Sequence, residues 1–242
     1  MTAADMTAGA LPPAGTAPLG TIALVTRPVP VTAGIGPGRA RRCLDILVAG
    51  TGLLVAGIPL LLAMLAVRLT SRGPALFRQV RLGQGGRPFL MYKLRTMRIG
   101  VAGPEVTATA DPRITRLGRI LRRLSVDELP QLWNVLRGDM TLVGPRPETP
   151  GLASLYPEHC RWVFRHRPGL TGPAQVRFRD AHVLEPGETA DTRTYVQRIV
   201  PARLLADATF LHHPSVRATF QVLADTVRHL LGRPLPNRQR AA

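Results

Sequence analysis

From Ile46 to Val67 the chain reads Ile-Leu-Val-Ala-Gly-Thr-Gly-Leu-Leu-Val-Ala-Gly-Ile-Pro-Leu-Leu-Leu-Ala-Met-Leu-Ala-Val, 22 residues without a charge. A bilayer core is crossed by about 20 apolar residues in helical form, so the run predicts a membrane segment rather than a buried helix of a soluble domain. Pro59 lies inside it. There the missing N–H and the ring's clash with the preceding turn cost ~3 kcal/mol or more in a regular helix, which predicts a break or a sharp kink. Arg39, Arg41 and Arg42 stand before the run and Arg68 and Arg72 after it. A simple span gathers its basic residues mainly on the cytoplasmic side, so both ends read as cytoplasmic. The expectation over 39–72 is a re-entrant helix-break-helix that enters, turns at Pro59 and returns, with a kinked single span as the alternative. Asp45, three residues after Arg42, is placed to pair with it at the membrane edge.

Around this segment the composition is strongly basic. A net charge of +17 comes from 31 arginines and one lysine, Lys93, against 15 acids. Such a field implies anionic partners: nucleic acid, lipid head groups or phosphorylated small molecules. Aromatic residues make up 5% of the chain and do not interleave with the arginines, so no nucleic-acid partner is expected. Cys43 and Cys160 offer neither a disulfide framework nor metal-ligand spacing, which fits a reducing compartment. Residues 1–38, rich in Ala, Gly, Pro and Thr, read as a flexible tail. They do not read as a signal peptide, because the charged cluster and the apolar run come after them. Residues 233–242 read as a short basic tail, leaving 73–232 as one domain.

That domain reads as mixed α/β and helix-rich. Ala75–Val80 and Pro88–Tyr92 are strand candidates joined by a turn at Gly83-Gln84-Gly85-Gly86, which lacks the Gly-Lys-Ser/Thr of a phosphate loop. Ile114, Leu117, Leu121 and Leu124 recur at helical spacing among five arginines, predicting a basic amphipathic helix at the membrane surface or the site. Residues 152–164 and 216–231 are further amphipathic stretches. Ser125 followed by Glu128 matches a capping box, and Gly138 suits a helix end. Pro130 belongs in a first turn, so this helix is expected to begin near Val126 or Asp127, with both acids at its positive end. Pro145 and Pro147 hold Arg146 in extended backbone, a rigid presentation suited to bidentate phosphate binding or to a structural carboxylate. Cys160 beside His159 or near His166 is a weaker thiol-nucleophile reading.

In combination these stretches resemble the monotopic phosphoglycosyl transferases, the bacterial sugar transferases, from about Arg41 to about Leu231. The resemblance is carried in order by Arg41-Arg-Cys-Leu-Asp45, Phe77-Arg-Gln-Val-Arg-Leu-Gly83, Tyr92-Lys-Leu-Arg-Thr-Met97 and Asp111-Pro-Arg-Ile-Thr115. It continues through Leu124-Ser-Val-Asp-Glu-Leu-Pro-Gln131, Gly138-Asp-Met140, Val143-Gly-Pro-Arg-Pro147 and Arg167-Pro-Gly-Leu-Thr-Gly172. Two departures stand out: Ile58 where the family often has Ser before the proline, and Pro173 where a tryptophan is common.

The resemblance implies that Asp127 is a nucleophile toward a UDP-sugar, releasing UMP, and that polyprenyl (undecaprenyl) phosphate then takes the phosphosugar. It implies Mg²⁺ at Asp127 and Glu128, and substrate contacts from Lys93, Arg95, Arg122 and the Pro145-Arg146-Pro147 triplet. It also implies residence at the cytoplasmic face of the inner membrane, in contact with lipid and with room for a homodimer. The competing reading is a non-enzymatic, membrane-tethered basic module for nucleic acid or anionic lipid.

Overall fold

The computed structural model describes residues 37–101, 111–178 and 195–233. The predicted tails lie outside these residues, apart from positions 37, 38 and 233. Helix α1 (Arg39–Thr70) is 32 residues long with Pro59 inside it. The expected division into two helices is therefore corrected to one continuous element of ~48 Å. A proline removes one rung of the ladder, and the rungs on either side carry the helix through. Among the described residues α1 is the one helix long and apolar enough to cross a membrane. Its outer face is bare, with Leu54 83% and Val55 74% exposed.

The inner face and both ends of α1 are bound to the domain. Arg41 donates through Nη2 to the Val143 carbonyl at 2.7 Å and through Nε to Thr219 Oγ1 at 3.0 Å. Arg42 donates to the carbonyls of Val135 and Leu136, at 2.6 and 2.7 Å. The predicted Arg42–Asp45 pair does not form. Asp45 instead accepts from Thr141 Oγ1 at 2.7 Å and from the Leu142 N–H at 3.0 Å. Buried polar groups of the domain outcompete a neighbour one turn away, because such groups left alone cost more than a surface pair gains. At the other end Val67 packs with Ala75, Leu94 and Leu121.

Strands β1 (Leu76–Leu82) and β2 (Pro88–Leu94) form an antiparallel hairpin in register from Leu76↔Leu94 to Leu82↔Pro88. Its turn is a short 3₁₀ segment in which Gly85 and Gly86 take φ of 70°. Helix α2 (Arg116–Arg123) follows, its first turn capped by Thr115 Oγ1, which accepts from the Gly118 N–H at 2.9 Å. Gly118 abuts the Thr96 carbonyl so closely that a β-carbon there would lie 2.1 Å from it. Helix α3 (Gln131–Arg137) ends at Gly138, in the left-handed region at φ 90°. Strand β3 (Thr141–Val143) pairs in parallel with β4 (Gly169–Thr171).

Between these strands the predicted stretch 152–164 is split. Helix α4 (Pro150–Ser154) stops before Pro157, and residues Glu158–Arg165 form a 3₁₀ segment. The proline disfavours helical backbone in the residue before it, so the amphipathic spacing does not become one helix. Helix α5 (Pro173–Arg177) begins on Pro173. A π-helical turn at Tyr195–Ile199 leads into α6 (Val200–His212), and α7 (Val216–Leu230) closes the fold. The core joins Met140, Leu142 and Val143 to Leu152, Phe164, Val200 and Phe210. The described residues form a helix-rich mixed domain with two small sheets and one apolar helix along its side.

Candidate active site

The site begins where α2 ends. Ser125 takes φ 56°, ψ 19°, the one non-glycine positive φ among the described residues, and turns the chain sharply. Strained backbone of this kind persists where its surroundings dictate it. The capping box read from the sequence does not form, since a left-handed Ser125 makes no side-chain cap. A single 3₁₀ turn, Val126–Glu128, then presents the two acids, and α3 starts only after Pro130.

Asp127 is 6% exposed. Burial pushes its carboxyl above the ordinary range; Lys93 pulls it back, Glu128 adds to the rise, and Arg122 opposes it. Lys93 Nζ, near the end of β2, meets Glu128 Oε1 at 2.7 Å. Arg122 donates through Nε to Thr96 Oγ1 at 2.8 Å, which fixes its guanidinium beside the acids. Asp111 and Arg113 form a buried ion pair at 2.6 Å, and that bond holds the Asp111 carboxyl below the usual range.

A cleft of about 1340 Å³ gathers these groups. Lys93, Arg122, Asp127, Glu128 and Arg146 line it, and Met64, Leu65 and Arg68 bring in one flank of α1. An acidic pair, several cations and an apolar helix thus share one space. Pro145 and Pro147 are buried and act as scaffold for Arg146: their carbonyls accept from the Gly169 N–H at 2.8 Å and from Arg81 Nη1 at 3.0 Å.

Arg95, read from sequence as a phosphate contact, is engaged elsewhere although it borders the cleft. It is 5% exposed, and its guanidinium donates to the carbonyls of Ser71 at 2.8 Å, Gly73 at 3.2 Å and Arg72. It therefore ties the C-terminal end of α1 to β2. Pro59 is exposed on α1 and is not among the residues lining the cleft. Cys160 is buried and its thiol is pushed up by desolvation, which removes the thiolate a nucleophile needs.

The sequence reading missed the far wall. Glu148 accepts from Tyr156 Oη at 3.3 Å and Tyr195 Oη at 3.1 Å, and Arg203 Nη1 donates to Tyr195 Oη at 2.9 Å. Glu148 follows directly on Pro147, so the prolines that hold Arg146 also place this carboxylate. Arg203 lies on a helix with no motif to mark it.

The profile of the family described as bacterial sugar transferase matches residues 37–233. The chain belongs to the bacterial sugar transferase family. It is 44% identical over 197 residues to the UDP-glucose:undecaprenyl-phosphate glucose-1-phosphate transferase of Caulobacter vibrioides, covering 79% of this chain and 69% of that relative. With the undecaprenyl-phosphate glucose phosphotransferase of Komagataeibacter xylinus it shares 49% identity over 146 residues, 56% of this chain and 27% of the relative. A UDP-N-acetylgalactosamine-undecaprenyl-phosphate N-acetylgalactosaminephosphotransferase of Aeromonas hydrophila is 39% identical over 141 residues, 56% of this chain and 33% of the relative. The bacterial sugar transferase family is one of enzymes, so membership sets aside the non-enzymatic module.

Among the described residues no group of three or more His, Cys, Asp or Glu could hold a metal alone. Magnesium does not require one. It is commonly held by one or two carboxylates together with substrate phosphates, and Asp127 beside Glu128 supplies that donor set.

Proposed function

We propose that this bacterial sugar transferase moves a sugar 1-phosphate from a UDP-sugar to undecaprenyl phosphate through an aspartyl phosphosugar on Asp127. The reaction would start exopolysaccharide or other glycoconjugate assembly at the cytoplasmic face of the inner membrane. The observation that carries this reading is the single cleft joining Asp127 and Glu128, the cations Lys93, Arg122 and Arg146, and the α1 residues Met64 and Leu65. A water-soluble diphosphate and a lipid phosphate can meet the same carboxylate there.

In the first step a carboxylate oxygen of Asp127 attacks the phosphorus that bears the sugar; the bond to the bridging oxygen breaks and UMP leaves with its electron pair. In the second, an oxygen of the lipid phosphate attacks that phosphorus, and the Asp127 carboxylate departs unchanged. Lys93 holds Glu128 beside the nucleophile and opposes the rise that burial gives the Asp127 carboxyl. Arg146 and Arg122 offer guanidinium groups to the anionic donor. Magnesium bound at the two acids would neutralise diphosphate charge that otherwise repels an anionic nucleophile.

For membrane placement, both ends of α1 are bound to one domain, which supports a re-entrant or surface-lying helix with both ends on the cytoplasmic side. The bare outer face of α1 fits contact with lipid. The test is UMP release, in detergent, from UDP-glucose and UDP-N-acetylgalactosamine with undecaprenyl phosphate and Mg²⁺. Release that persists at the wild-type rate in Asp127→Asn would remove the proposed nucleophile.

A further inference from the structure

Asp207 is a buried acid that the proposed reaction does not use. It is 4% exposed on α6, where the other buried residues, Val200, Leu204, Phe210 and Leu211, are all apolar. Its Oδ1 accepts from the Ala174 N–H in the first turn of α5 at 2.9 Å. Beside it a cavity of about 20 Å³ lies among Pro145, Arg146, Gln175, Arg203 and Asp207. That volume accommodates one water molecule, provided polar partners surround it. Two are at hand: Arg203 Nε, a donor, and Gln175 Oε1, an acceptor, are buried and have no hydrogen-bond partner among the described residues. Such atoms are costly when left dry. From Arg203 the chain of contacts continues through Tyr195 Oη to Glu148, two residues beyond Arg146.

We propose that Asp207 is a positioning residue for the donor site: through one water held in this cavity its carboxylate engages Arg203 and Gln175, and so sets the wall that carries Arg146. The inference rests on reading the main cleft as the site of phosphosugar transfer. The groups that face this cavity or adjoin it are Arg203 from α6, Arg146 and Glu148 from the loop after β3, Tyr156 after α4, Tyr195 from the π turn and the Ala174 N–H from α5. Burial pushes the Asp207 carboxyl up to about 7, against the pull of Ala174 and Arg203, so its charge changes near neutrality. Ionised, it balances Arg203. Protonated, it leaves Arg203 free to turn toward Glu148 and to draw that carboxylate away from Arg81, 3.9 Å from it, and from Arg146, whose charge it attracts.

The test compares the full-length wild type, Asp207→Asn and Gln175→Leu between pH 6 and 8.5, with a UDP-sugar that the wild type turns over. Asparagine retains an acceptor for the Ala174 N–H and the side-chain volume, which keeps the variant folded. At pH 8 the donor KM of Asp207→Asn is expected to rise by about tenfold with kcat within about twofold. The wild-type KM climbs toward that value as pH falls through 7, whereas the Asp207→Asn profile lacks that step. Gln175→Leu raises KM and keeps the pH step. Titration of the lipid phosphate acts on all three proteins alike and cancels in the comparison. An unchanged KM and pH step in Asp207→Asn overturns the proposal, as does a loss confined to kcat and melting temperature. A wild type that turns over no UDP-sugar overturns the transfer reading instead.

Discussion

Asp127 and Glu128 stand out in the sequence because two adjacent acids precede a proline-marked helix start; their chemistry depends on neighbours that only the fold brings close. Lys93, 35 residues from Glu128, is one such neighbour. Since Lys93 holds the Asp127 carboxyl down, Lys93→Met lets it rise, and the ionised fraction falls at the acidic end. The acidic limb of the kcat/KM profile is therefore expected to move to higher pH, as a pH–rate series on the variant would register. Asp207 makes the opposite point about stability. Its folded value of about 7 exceeds the ordinary 3.8, so the stability linked to it is full below about pH 4 and is lost as pH rises through 7. The loss is on the order of 4 kcal/mol. Asp207→Asn removes that buried charge, so its melting temperature relative to wild type should climb between pH 4 and pH 8. A gap that stays constant with pH would show that no buried charge is at stake. The bonds of Arg95 to the end of α1 are not legible in the sequence, because a guanidinium has the same name whether it meets phosphate or carbonyl oxygens; Asp207 was missed because no spacing announces it.

Periodicity served best for the secondary elements. The hairpin, the basic helix before the acids and the C-terminal helix were legible as alternation or 3.6-residue repeats. Prolines were harder, since they act through context. Pro157 divides an amphipathic stretch, whereas Pro59 sits within an unbroken α1. The location of the helix ends is a stronger guide to topology than the proline is. Cysteines placed at Gly38 and Arg72, in a Cys43→Ser background, are expected to label from the same side of sealed vesicles. Labelling from opposite sides would establish a full crossing. Arg95→Gln takes charged donors from the carbonyls at the end of α1, and each such bond contributes about 1.5–3 kcal/mol. A melting temperature lowered by several degrees, with Mg²⁺-dependent UMP release still measurable at low temperature, is the expected result.

At the scale of the whole molecule, a net charge of +17 and a bare apolar helix act on the same membrane but respond differently to salt. Attraction between arginines and anionic lipid is screened within a Debye length of about 3 Å at 1 M ionic strength. Burial of α1 in hydrocarbon is not screened. The protein should therefore stay with the membrane fraction through a 1 M salt wash and leave it in detergent, as sedimentation followed by blotting would reveal. Release by salt alone would mean that α1 is not inserted.

The grip of the domain on its apolar helix also bears on attempts to make a water-soluble enzyme by trimming. Cutting away residues 39–70 would delete Arg41, Arg42 and Asp45, whose side chains bond the main chain at Val135, Leu136, Leu142 and Val143. It would also uncover core residues that pack against Ala49. The shortened chain should come out aggregated rather than merely detached, because the anchor is also a wall of the catalytic fold.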